Sequence, residues 1–204
     1  MVSGSVLRLE NGRLKVKRLI HTAAAVISAA AAGFLCGRPD ERLPGWVTLH
    51  DSRQTVTVRT EDGTETADLT LSGGRLRLTG QGFSYESDST WYIADCFFYD
   101  ADFDGADEVV LNMWKPGSYG YYHPFWIEPD DEDIYSQHIF IYDWDTEREQ
   151  RLRKRWLSSG IPIQGNSFFP DEQNALHIIE TDGRETVWRW EGWGLKRVGS
   201  ETAE

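Results

Sequence analysis

From Trp46 onward the sequence is a succession of short runs in which apolar and polar residues alternate, each run closed by Gly, Pro, Asp or Ser. A period of two marks a strand with one buried face, and no stretch of this part sustains the 3.6-residue period of a helix. The pattern restricts the body to the all-β class. WVTLH (46–50), TVTVRT (55–60), ADLTL (67–71) and RLRLT (75–79) form a first group, joined by turns such as EDG and SGG. TWYIADCFFY (90–99), EVVLNMW (108–114), HIFIYDW (138–144) and RLRKRWL (151–157) form a second. PIQGNSFF (162–169), ALHIIE (175–180), TVWRW (186–190) and GLKRV (194–198) form a third.

Three groups of four short strands predict about three four-stranded antiparallel units, each with the make-up of a propeller blade. The second and third groups also read as repeats of one another. CFFYDADFDGADEVVLN aligns with SFFPDEQNALHIIE, the latter with a shortened loop, and the Trp144 to Trp190 spacing of 46 residues is blade-sized. A closed propeller uses four blades or more, so three predict a partial or divergent one, β-propeller-like over residues 46–200. Aromatic residues are 13% of the chain, nine of them Trp, which is too much ring surface for a disordered chain and enough for a real core.

Charge divides the chain. Residues 1–36 carry five Lys or Arg against Glu10, a balance of +4, which leaves −16 of the total −12 for residues 37–204. So acidic a body repels phosphate backbones and excludes nucleic acid as a partner, while favouring cations or basic partners. Residues 1–36 place the basic stretch RLKVKR before the apolar LIHTAAAVISAAAAGFLC (19–36), the layout of a signal peptide or a membrane anchor. The basic flank stays inside and the body is exported. The apolar run continues through Phe34 and Leu35, which favours an N-terminal hydrophobic helix kept as an anchor over a cleaved leader. Leu35 also stands where processing of a lipid-anchored Cys36 wants a small residue, and a buried cytoplasmic helix fits the basic flank less well. Residues 37–45 read as a Pro/Gly-punctuated linker. Cys96, inside IADCFFY, reads as a small buried apolar residue rather than a disulfide partner.

The sharpest chemistry lies in YDADFDGADEVVLN. Asp100, Asp102 and Asp104 alternate, Gly105 permits a tight turn, and Glu108 stands at the ninth position. A calcium ion takes six to eight oxygens at flexible distances, which such a loop can supply from Asp100, Asp102, Asp104, the carbonyl of Ala106 and Glu108. An EF-hand needs a bidentate Glu at position twelve and a following helix; here that position is Leu111, inside a strand run. The segment DADFDGADEVVLN resembles the FG-GAP or VCBS-type repeat, with its D-x-D-x-D-G-x-x-D/E loop before an apolar strand. The resemblance implies a β-propeller with calcium in inter-strand loops, and carries Asp100, Asp102, Asp104 and Glu108 over as ligands. The third group lacks the loop, and the first has only the polar turn EDGTE. The competing reading is a solvated acidic turn with no ion.

Residues 114–137 interrupt the second group with an aromatic insertion containing Trp114, Tyr119, Tyr121, Tyr122 and Trp126. Such rings suit a recognition surface for a glycan or an envelope protein. They suit still better a loop folded over the blade to fill its gaps. His123, His138 and His177 lack metal-ligand spacing, and no nucleophile elbow, H-E-x-x-H or phosphate loop is present. The expectation is therefore an extracytoplasmic calcium-binding interaction module, not an enzyme. The alternatives are an envelope polysaccharide hydrolase using a carboxylate pair such as Asp95 and Glu128, or an assembly protein whose three-bladed halves pair into a ring.

Overall fold

The computed structural model describes residues 42–60, 63–120, 133–145 and 151–202. The leader helix, the first part of the linker, Tyr121, Tyr122, Trp126 and Glu128 lie outside the described residues. No helix among the described residues is long and apolar enough to cross a membrane.

The alternating runs fold into three four-stranded antiparallel sheets, each with its strands in chain order. The first contains β1 (Ser52–Thr60), β2 (Gly63–Ser72), β3 (Arg75–Gly80) and β4 (Phe83–Glu86). The second contains β5 (Tyr92–Tyr99), β6 (Glu108–Pro116), β7 (Tyr135–Asp145) and β8 (Arg151–Leu157). The third contains β9 (Gly165–Pro170), β10 (Leu176–Glu180), β11 (Arg184–Glu191) and β12 (Gly194–Thr202). Each of the eight runs of the second and third groups contains a strand, though PIQGNSFF enters its strand only at Gly165 and TWYIADCFFY only at Tyr92.

The first group needs one correction. WVTLH (46–50) is not a strand, and the fourth place is taken by the short β4. The alternation in WVTLH does reflect a buried side, because Val47 and Leu49 pack on Leu43, Trp114 and Tyr135. It makes no ladder, however. The Val47 amide turns back to the Pro44 carbonyl, and only the His50 amide reaches a strand, at the carbonyl of Ala94. Ala94 offers that carbonyl because it is the extra residue of a bulge, where the β5–β6 register slips between Ile93 and Asp95. An extended segment laid across other strands thus copies the period-two signal without joining a sheet. β4 seats Phe83 over Gly80, where an added Cβ would lie 2.1 Å from the ring.

The second sheet is the centre of the stack and is buried on both faces. Val109, Leu111 and Met113 join Leu69, Leu76 and Leu78 of the first sheet in one core. Val110, Ile139 and Ile141 face Phe168, Leu176 and Ile178 of the third sheet in another. This accounts for the continuous apolar run VVL in β6, since a strand covered on both sides has no polar face to alternate with. Each fully buried Leu or Ile there contributes about 1.5–3 kcal/mol. The two seams differ in layout. β5 lies against β9 between the second and third sheets, whereas the first sheet meets the second through β1 on β7, β2 and β3 on β5, and β4 on β8.

One polar pin crosses the second seam. The Gln137 amide nitrogen donates to Asn112 Oδ1 and to the Gly165 carbonyl, both at 2.9 Å, and its Oε1 accepts the Gly165 amide at 2.8 Å. His138 beside it is fully buried, its Nδ1 2.9 Å from the Ser158 carbonyl and its Nε2 2.8 Å from Ser136 Oγ. It is a satisfied core histidine.

Candidate metal centre

The aspartate loop joins β5 to β6, so both of its ends are fixed by ladder pairs, the last being Tyr99 with Glu108. Between them the backbone curls tightly, with positive φ at Gly105 (87°) and also at Phe103 (65°). For a bulky residue that conformation costs about 1–2 kcal/mol. The loop's own carboxylates hold the curl. Asp100 Oδ2 accepts the Gly105 amide at 3.1 Å, Asp102 Oδ1 accepts the Asp104 amide at 3.2 Å, and Glu108 Oε2 accepts the Ala101 amide at 2.7 Å.

Carboxylate oxygens of Asp100, Asp102 and Glu108 come within 4.8 Å of one another. Two oxygens on one calcium, each at 2.3–2.6 Å, stand at most about 5 Å apart, so the trio has the span to share an ion. Asp100 Oδ1 is buried and has no hydrogen-bond partner, although its sister oxygen is taken up by the loop. A buried carboxylate oxygen left without a donor is costly unless a cation meets it. Burial pushes the Glu108 carboxyl up to about 7; the amides of Ala101 and Asp102 oppose this, and the charges of Asp102 and Asp104 add to it. A bound divalent ion reverses that balance. The donor set therefore fits a hard cation.

Of the predicted ligands, the structure brings Asp100, Asp102 and Glu108 together. Asp104 is exposed and stands apart from the trio, its Oδ1 accepting the Ala106 amide at 2.9 Å. Glu108, not the exposed Asp107, points into the cluster. One participant had no sequence signal. Arg155 of β8 forms an ion pair with Asp102 Oδ2 and lies over the Trp190 ring, 5.4 Å from its centre.

No family model, curated protein or solved structure matches this chain.

The sister loop in the third sheet supports the alignment made from sequence. Asp171 follows β9 as Asp100 follows β5, and its Oδ1 accepts the amides of Gln173 and Ala175, both at 2.8 Å. Its neutralising partner is internal: His177 Nε2 lies 3.2 Å from Asp171 Oδ2, and His177 Nδ1 2.5 Å from Glu185 Oε1. Burial opposes charge on the ring, but the hydrogen bonds and charges of Glu185 and Asp171 outweigh it and raise the His177 pKa. Burial likewise works against the Asp171 carboxylate, yet the two amides and His177 bring its pKa below the ordinary value. The imidazolium's contribution is complete below the ordinary imidazole pKa and fades as pH rises through the raised folded value. The Asp171 contribution fades on the opposite side, as pH falls through its lowered value. Stability measured by urea midpoints should thus decline as pH rises above the ordinary imidazole pKa, by under about 1 kcal/mol for a partly solvent-screened cluster, and His177→Gln should flatten that decline.

The predicted ligand-binding aromatics divide. Trp114 is not a surface residue. It is 1% exposed, packed with Leu43 and Tyr135 and edge-on to Trp46, because β6 runs on through the core before the insertion begins. Tyr119 is half-buried at the root of the insertion. That root is fixed: Lys115 Nζ donates to the carbonyls of Pro116 at 2.7 Å and Tyr119 at 2.8 Å, and the Gly160 amide donates to the Ser118 carbonyl at 2.6 Å. Gly120 passes so close to the Leu157 and Ser158 carbonyls that a Cβ would lie 2.8 Å from each. Cys96 is a free, half-buried thiol packed against the first core, and burial raises its pKa.

Proposed function

We propose that this protein is a calcium-stapled interaction module acting outside the cytoplasm, with a glycan or an envelope protein as its partner. One observation carries the metal: Asp100 Oδ1 is buried without a donor beside the carboxylates of Asp102 and Glu108. Calcium suits them better than a softer metal because every donor is a carboxylate oxygen. When bound, the ion supplies charge neutralisation that the loop amides provide only in part. The protein's own residues do the rest: the ladder from Tyr99 and Glu108 sets the loop's width, and Gly105 turns it.

The resemblance of DADFDGADEVVLN to the FG-GAP or VCBS-type repeat supports the same ion and a propeller-like relation between blades. The side-by-side placement of β5 and β9 fits that relation for the second and third sheets. Export rests on the basic-then-apolar residues 1–36. The aromatic content of the insertion, Tyr119, Tyr121, Tyr122 and Trp126, suits a recognition surface, and the root at Tyr119 is held by Lys115.

Calorimetric titration of the whole chain with calcium tests the reading. One site per chain is expected, with a dissociation constant of about 10⁻⁴–10⁻³ M, the range of extracellular modules. No heat at millimolar calcium would remove the metal from the proposal. The hydrolase alternative has one observation in its favour: burial raises the Asp95 carboxyl, opposed by the His50 ring at 2.7 Å. Turnover of an envelope polysaccharide that is lost in Asp95→Asn would favour it instead.

A further inference from the structure

Arg155 owes its position to a break in register. Ile141 pairs with Trp156 and Tyr142 with Lys154, so Arg155 is the extra residue of a bulge in β8. Bulges re-aim a side chain that a regular strand would present elsewhere. The guanidinium reaches Asp102, whose side chain is wholly buried, while about a third of the arginine side chain stays in contact with solvent. The same group stacks over Trp190, which belongs to the neighbouring sheet and packs against the second core.

A guanidinium and a calcium ion want the same oxygen. Asp102 Oδ1 already accepts the Asp104 amide, so Oδ2, the atom that Arg155 meets, is the one left for a metal. Two cations brought to one carboxylate repel each other, and only the arginine has solvent to retreat into. The sister loop faces the same problem with fewer carboxylates, and His177 solves it from within. In the aspartate loop the Arg155 guanidinium meets Asp102, one of three clustered carboxylates, with Asp104 and Asp107 close in sequence.

Resting on the calcium reading above, we propose that Arg155 is the counter-ion of the metal-free loop and that calcium displaces it from Asp102. The arginine holds the loop together when no metal is bound, lowers its calcium affinity, and carries the loading event to Trp190 across the seam between the second and third sheets.

The test compares calcium titrations of the full-length chain with Arg155→Met and Arg155→Lys by calorimetry, alongside tryptophan emission and melting. Arg155→Met should bind calcium about tenfold more tightly, the scale expected from removing one partly screened charge beside the site. It should melt lower than wild type without calcium and close to it at saturation. Arg155→Lys, which keeps the charge, should stay within about threefold of wild-type affinity. Calcium should alter the emission of the wild type and do so less in Trp190→Phe. Unchanged or weaker affinity in Arg155→Met overturns the proposal and leaves the metal reading standing, since Arg155 would then serve to position Asp102. Absence of calcium binding in the wild type overturns both.

Discussion

Calcium at about 10 mM should raise the melting temperature of this protein by roughly 3–10 °C over a sample in EGTA. For a dissociation constant of about 10⁻⁴–10⁻³ M, mass action supplies about 1.4–2.7 kcal/mol. In a domain of this size each kilocalorie moves the midpoint by about 2–4 °C. Asp100→Asn is the informative variant. Asp100 Oδ2 accepts the Gly105 amide, a bond that an asparagine oxygen can keep, while the unpartnered Oδ1 loses its charge. The variant should therefore melt no lower than wild type in EGTA, because carboxylate repulsion is relieved, yet lose most of the calcium-dependent rise. A solvated acidic turn would give equal melting curves with and without calcium in both proteins. The opposed signs in EGTA and calcium separate a binding residue from one whose loss simply damages the loop.

Gln137→Leu should be among the most destabilising single changes in the chain, by about 3–5 kcal/mol in urea unfolding. Leucine nearly matches the volume but makes none of the three hydrogen bonds. The Gly165 amide, the Gly165 carbonyl and Asn112 Oδ1 would each be left without this partner, at about 1–3 kcal/mol per orphaned group. A Cβ at Gly165 would lie 2.5 Å from Ile178 Cγ2 and 2.6 Å from the Phe168 ring, so the place beside the pin has room only for glycine. Gly165→Ala should cost about 1–3 kcal/mol by overpacking at the same seam. If Gln137→Leu unfolds at the wild-type midpoint, the pin does not hold the third sheet to the second.

The class of fold was legible because burial on one face writes a period of two into the chain, as in ADLTL and RLRLT. EVVLNMW was legible for the opposite reason, as a run too apolar to have a wet face. WVTLH misled because burial, not pairing, produces the alternation, and Val47 and Leu49 find burial against Trp114 and Tyr135 outside any sheet. β4 escaped notice because four residues hold only two apolar positions, Phe83 and Tyr85. In the candidate site, the spacing of Asp100, Asp102 and Glu108 around Gly105 was enough to predict convergence. Arg155 was not readable, because its direction depends on a one-residue slip between β7 and β8 that no local pattern in RLRKRWL records. Trp114 shows the limit of composition: an aromatic beside an insertion looks like part of it, and only the length of β6 places it in the core.

Diffraction from crystals of the full chain grown with calcium tests the central claim most directly. One strong peak is expected in the β5–β6 loop, about 2.3–2.6 Å from oxygens of Asp100, Asp102 and Glu108, with the Arg155 guanidinium withdrawn from Asp102. An empty loop at saturating calcium, with Arg155 still on Asp102, would contradict it.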